Sequence, residues 1–253
     1  MRVHNFPVVF FVSSFLVLWL STRAGVLIGR RMLPLSEAAR EDYNIVLTAT
    51  LTLLGLIIGF SFSMAISRYD LRKNYEEEET NAIGTEYVRA ELLPDAEAAK
   101  LKKLLRKYVQ QRMLFYTTRD PGELAQISTS TAQLQSEMWS AVRTVATAKP
   151  SPTTSLAASG MNDVLNSQGY TQAAWLNRIP TEAWILMIAI AVCSNFLVGY
   201  GARQTGTGLL IVLPFVLAIA FFLVSDIETP RRGGSRVSPQ NLLSLSRSIQ
   251  ASR

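Results

Sequence analysis

The chain has 253 residues, 25 basic against 19 acidic, and a formal charge of +6. A mean hydropathy of +0.20 with 49% hydrophobic residues is high for a soluble protein of this length. The single cysteine, Cys193, excludes an internal disulfide framework and a zinc cluster, and the single histidine, His4, leaves no usual base for nucleophilic catalysis.

The hydrophobicity is gathered in four blocks, residues 6 to 29, 43 to 67, 181 to 202 and 207 to 225. Each is close to the roughly 20 residues that a helix needs to cross the hydrocarbon. The first block has a basic start and an apolar core like a signal peptide, but Arg23 before Ala24 makes a poor cleavage site and "AGVLIG" resumes the apolar run. We read it as an uncleaved span. The pattern predicts an all-α integral membrane protein with four spans and a helical bundle formed largely between the second and third. Its parts are 1–67 (two spans), 68–179 (helical domain), 180–225 (two spans) and 226–253 (tail).

The second span is expected to leave the bilayer without a break. "GLIIGFSFSMAISRYDLRKNYEEEE" passes from apolar to charged with no turn signal, and Ile66, Tyr69, Ile83, Tyr87 and Ala90 keep a helical interval. One helix is predicted from 43 to 93, ending at Pro94, with Gly84 its weak point. Along its membrane part Thr48, Thr52, Gly55, Gly59, Ser63 and Ser67 recur at intervals of three and four. Such a small-residue stripe suits close helix packing in lipid; the functional alternative is a face lining a pore. The glutamates 76 to 79 point about 100° apart on a helix, which argues against one calcium site and for a solvated surface.

A second helix is predicted to open at Asp95 with a stripe of Leu101, Leu104, Leu105, Tyr108 and Phe115. A third opens at "DPGEL", with Asp120 as cap, Pro121 in the first turn and Glu123 completing a capping box. It carries Leu124, Ile127, Leu134, Met138, Val142 and Val145 at bundle spacings. "KPSPTTS" breaks it, and a further helix from 156 to 178 leads to "RIPTEAW" and the third span. There Asn195 is expected to bond another helix, while Arg178, Glu182, Asp226 and Glu228 read as interfacial anchors. Pro214 is expected to kink the fourth span. A last helix with Ser238 as cap, Pro239 first and Leu242, Leu243, Leu245 and Ile249 on one face either lies on the membrane or returns to the bundle.

Basic flanks set the orientation. Arg2, Arg68, Arg72, Lys73, Arg178, Arg231, Arg232 and Arg236 stand on one side, and Arg30, Arg31, Arg40 and Arg203 on the other. The excess puts both termini and the helical domain in the cytoplasm. Basic residues spread over membrane flanks and amphipathic helices argue against a nucleic-acid partner and for the lipid bilayer.

The stretches "GFSFSMAISRYDLRKN", "EETNAIGTEYVRAELLP", "LRKYVQQR" and "NRIP", with the Asp-x-x-x-Pro-x-x-Gly tail from Asp226 to Gly233 and "VSPQNLL", resemble a family of bacterial multi-pass membrane proteins with a bestrophin-like domain. The chain departs from it at "GYTQAAW", where members often have a basic residue before "NRIP". "GFSFSMAISRY" is also similar to the neck helix of the bestrophins, pentameric anion channels. That resemblance implies a neck at Phe60, with Leu56 and Thr52 one and two turns before it, a homo-oligomer in the bacterial cytoplasmic membrane, and small ions as the permeating species. Calcium gating is not implied, since only Asp226 and Glu228 stand where bestrophins have an acidic clasp. No cofactor, metal or enzymatic activity is expected. The competing expectation is a non-conducting scaffold or sensor whose helical domain binds a protein.

Overall fold

The computed structural model describes residues 6–32, 36–202, 208–231 and 233–251; His4, Arg2, Arg203 and Arg232 lie outside them. Among the described residues all regular structure is helical. The helices are α1 (Pro7–Arg31), α2 (Glu37–Arg89), α3 (Asp95–Thr117), α4 (Pro121–Ala148), α5 (Pro152–Leu176), α6 (Thr181–Gly201), α7 (Val212–Glu228) and α8 (Gln240–Ala251), with 3-10 turns at Ala90–Leu92 and Leu209–Ile211. Four stretches are long and apolar enough to span a membrane, within Pro7–Arg31, Glu37–Leu92, Pro152–Gly201 and Leu209–Glu228.

The chain forms two compact units, Met1–Ser67 with Arg178–Ser235, and Arg68–Asn177 with Arg236–Arg253. In the first, α1 packs on α6 and α7. Its core holds Phe10, Leu18, Leu54, Ala65, Trp184, Met187, Leu217 and Phe221, with Phe10 edge-on to Trp184 at 5.3 Å between ring centres. The crossing of α1 and α6 is close because it is built on glycine. A methyl group at Gly25 would stand 2.8 Å from Tyr200 N and 3.1 Å from Gly199 C, so the two backbones touch. Beside it Thr22 donates to Asn195 Oδ1 at 3.3 Å, the interhelical bond expected of Asn195. Asn195 Nδ2 donates to Ala191 O at 2.8 Å. Pro214 lies near the start of the fourth span, not in its middle. A 3-10 turn precedes it and it sits in the first turn of α7, where a missing N–H disturbs no helical bond.

The second unit has a core of Ile83, Tyr87, Leu101, Leu105, Tyr108, Met138, Val142, Met161, Trp175, Leu242 and Ile249. The predicted stripes of α3 and α4 supply much of it. Asp120 Oδ1 accepts from Glu123 N at 2.9 Å to start α4. The start of α5 lies earlier than the sequence reading put it: Ser151 is the cap, Pro152 the first residue, and Thr154 completes a reciprocal capping box with Ser151. α8 returns to this bundle, burying Leu242 and Ile249 in its core with Leu245 packed against it.

Candidate functional site

α2 is a single helix of 53 residues that begins six positions before the predicted start and tightens into a 3-10 turn ahead of Pro94. Gly84 does not interrupt it; a methyl group there would lie 3.2 Å from Leu245 Cδ1, so the missing side chain makes room for α8. Most buried positions of α2 and of the turn after it fall on one line at spacings of three, four or seven: Leu54, Ser61, Ala65, Arg72, Glu76, Glu79, Ile83, Glu86 and Ala90, with buried Thr80 and Tyr87 beside it. What changes along the line is chemistry, from Leu, Ser and Ala in the apolar part to Arg and Glu beyond it.

Opposite that line lies the face on which the sequence places a pore or a packing stripe. Thr52, Leu56 and Phe60, and Thr48, Gly55, Gly59, Ser63 and Ser67, all fall within roughly 140° of one another on an ideal helix. All eight are exposed in the single chain, Leu56 at 53% and Phe60 at 62%. A methyl group at Gly55 or Gly59 would meet nothing within 4 Å. Among the described residues the stripe therefore packs on no other helix. Thr52 and Ser67 turn their hydroxyls back to Thr48 O at 2.8 Å and Ser63 O at 3.0 Å, so neither leaves a donor unpaired on this face. Only 11% of the apolar window in this stretch is buried, against 28%, 33% and 33% for the other three spans.

Beyond the apolar part, two of the four consecutive glutamates are not the solvated surface that the sequence suggested. Glu77 and Glu78 are exposed, whereas Glu76 and Glu79 are buried. Glu79 takes a bidentate bond from Arg112, through Nε to Oε1 and Nη2 to Oε2 at 3.2 Å. Tyr116 donates to Oε2 at 3.3 Å and Thr171 at 3.0 Å. The guanidinium also lies over the Phe115 ring, 4.4 Å from its centre. Burial opposes the Arg112 charge, but the Glu79 carboxylate offsets this and holds its pKa up. Burial, and then the same carboxylate, pushes up the hydroxyls of Tyr108 and Tyr116, which stay neutral.

Glu76 caps α8. Its Oε1 accepts from Leu242 N at 3.0 Å and its Oε2 from Asn241 Nδ2 at 2.6 Å. Burial raises its pKa, and the bonds from residues 241 and 242 hold it down again in part. At the other end of the pattern, Arg72 ties down the C-terminus of α5, where free carbonyls collect negative charge. It donates through Nε to Ala174 O and through Nη2 to Asn177 O, both at 3.2 Å. Glu86 differs from its neighbours on the line, since among the described residues neither carboxyl oxygen has a hydrogen-bond partner. It lies over Gly160, where any side chain would collide with it. Burial pushes its pKa up to about 8, with Arg89 lowering and Asp163 raising it.

The two carboxylates at the end of α7 fasten neighbouring loops. Asp226 accepts from Gly234 N at 2.6 Å and Ser235 N at 2.9 Å, and Glu228 accepts from Ile179 N at 2.8 Å. Among the described residues no group of three or more histidine, cysteine or carboxylate side chains is placed to hold a metal. The sequence reading missed the burial of Arg72, Glu76, Glu79 and Arg112; for the three on α2, their spacing in register with Ala65 and Ile83 was the available signal.

The fold and this long partly apolar, partly charged helix define a class, the all-helical membrane proteins whose second span continues as a strut of a helical bundle. A family model, Bestrophin-like domain, matches residues 15–242, and the chain belongs to that family. It is similar in fold to solved structures of a bacterial Bestrophin homolog from Klebsiella pneumoniae. One, solved by Zn-SAD phasing, has a TM-score of 0.68 at 12% identity over 95% of this chain and 97% of that one. A single-substitution variant of that homolog gives 0.69 at 12% over 95% and 98%. A structure described only as a membrane protein, again a variant, gives 0.70 at 13% over 95% and 97%. No curated protein matches the chain.

Proposed function

We propose that this protein is a homo-oligomeric ion channel of the bacterial cytoplasmic membrane that passes small ions, anions by preference, through a pore lined by α2. The observation that carries the reading is the uncovered apolar face of α2, which its own chain leaves far barer than the other spans. Lipid can cover such a face, but one bearing Thr52, three exposed serine or threonine hydroxyls on neighbouring turns and two unpacked glycines suits other copies of itself and a narrow water path better. Leu56 and Phe60 would form the neck, where an apolar ring gates by dewetting. Both termini and the bundle would stand in the cytoplasm, on the side favoured by the basic flanks. No residue is assigned a catalytic role.

Reconstitution tests the reading. Phe60→Ala and Leu56→Ala are expected to change chloride flux in proteoliposomes severalfold relative to wild type. Wild-type flux in both variants removes the neck from these residues. No flux from the well-folded wild-type protein favours the scaffold reading instead.

A further inference from the structure

Tyr87 and α8 hold one arginine of α3 in a fixed pose. Arg106 donates through Nε to Ile249 O at 3.1 Å and through Nη2 to the Tyr87 hydroxyl at 2.5 Å, and its guanidinium lies over the Tyr87 ring at 5.4 Å. Its Nη1 has no partner among the described residues. Arg106 lines an open cleft of about 620 Å³ together with Ala99, Lys103, Lys107, Gln110 and Gln250. Lys103, Arg106, Lys107 and Gln110 follow one another at three, one and three residues, so they occupy one face of α3. Among the described residues no acidic side chain lines the cleft.

The arrangement contrasts with the rest of the unit. Lys102 is bonded to Glu91 at 2.7 Å, Arg89 stands 3.8 Å from Asp163, and Arg112 is paired with Glu79. Among the described residues Lys103 and Lys107 make no ion pair or hydrogen bond, and they flank the fixed guanidinium. Like charges three and four residues apart on a helix repel each other and destabilise it slightly. A bound anion would reverse the sign of that effect. A planar guanidinium whose pose is already set loses little freedom on binding an oxyanion, and two mobile ammonium groups can close on further oxygens. The cleft volume falls within the range of small-molecule sites and exceeds what a single chloride needs.

We propose that this cleft binds a phosphate-bearing anion, gripped by Arg106 and clamped by Lys103 and Lys107. The site is independent of conduction through α2. The phosphate comes either from a soluble di- or polyphosphate compound or from an anionic lipid headgroup.

The test uses the full-length protein in a neutral detergent, titrated by calorimetry with inorganic pyrophosphate and, separately, with a short-chain phosphatidylglycerol. Saturable binding of either supports the site, and which of the two saturates identifies the source. The pairs Lys103→Glu with Lys107→Glu, and Lys103→Ala with Lys107→Ala, are expected to weaken that binding at least tenfold. Arg143→Glu with Lys149→Glu, the same change of charge at exposed positions outside the cleft, is expected to leave it within twofold. Absence of saturable binding by both ligands overturns the proposal. So does a control pair that weakens binding as much as the cleft pairs, or cleft variants that bind like wild type.

Discussion

Glu86 is a carboxyl whose protonation the fold decides. Its folded pKa of about 8 stands above the ordinary 4.5, so the folded chain holds a proton that the unfolded chain releases between those values. The stability it contributes is fully present below about 4.5 and is lost as pH rises through that window, at about 1.4 kcal/mol per pH unit. Glu76, also raised by burial, adds to the same trend. Thermal unfolding of the solubilised protein is therefore expected to show a midpoint that falls between pH 6 and pH 8, and Glu86→Gln is expected to flatten the slope. An unchanged slope in that variant refutes the assignment. None of this was visible in the sequence, where a glutamate on a charged helix reads as solvent-facing. Its burial follows from Gly160, a residue 74 positions away (160 less 86) that brings no side chain of its own.

Helices were the most legible level. Apolar spacing located the stripes of α3 and α4, and the Asp-Pro signal placed the start of α4 at the right residue. α2 was legible as a continuous helix, but not its inner face, because the reading followed apolar residues while the buried line runs through Arg72, Glu76, Glu79 and Glu86. Charges at core spacing mark buried polar contacts, here an ion pair to Arg112, a cap on α8 and a clamp on the end of α5, and only partners distant in sequence reveal them. Three predictions belong to this level. Glu76→Ala removes the acceptor that caps α8 and is expected to cost about 0.5–2 kcal/mol. Amide exchange over 240–251 should quicken, while the exposed Glu77→Ala changes nothing. Gly25→Leu forces the α1 and α6 backbones apart and is expected to lower the thermal midpoint sharply or abolish folding. Gly169→Ala, in open space on α5, is expected to stabilise by about 0.5–1 kcal/mol. The pair Gly25 and Gly29, four residues apart in an apolar helix, was a readable packing motif that the stripe on α2 overshadowed.

For the whole molecule, four spans and a helical bundle follow from hydropathy and periodicity, and the family follows from motifs spread over most of the chain. The candidate pore face was legible as a pattern of small residues, but a pattern alone cannot distinguish a seam between helices of one chain from a surface shared between copies. The face is bare in the single chain, which excludes the first among the described residues and leaves lipid or another copy to cover it. The native mass of the solubilised protein is expected to be a multiple of 28.0 kDa, as a closed ring requires. A strict monomer removes the central pore.

The helical unit is assembled from two separate lengths of chain, and this imposes a timetable on its synthesis. Glu76 waits for Asn241, 165 residues later, and the intervening chain includes both closing spans. At roughly 5–20 residues per second the ribosome takes about ten to thirty seconds to deliver that partner. Until then Ile83 and Tyr87 lack Leu242 and Ile249, and the glutamate has nothing to cap. The bundle thus closes only after α6 and α7 have been made, so its last helix reaches Glu76 only once both closing spans have left the ribosome's catalytic centre.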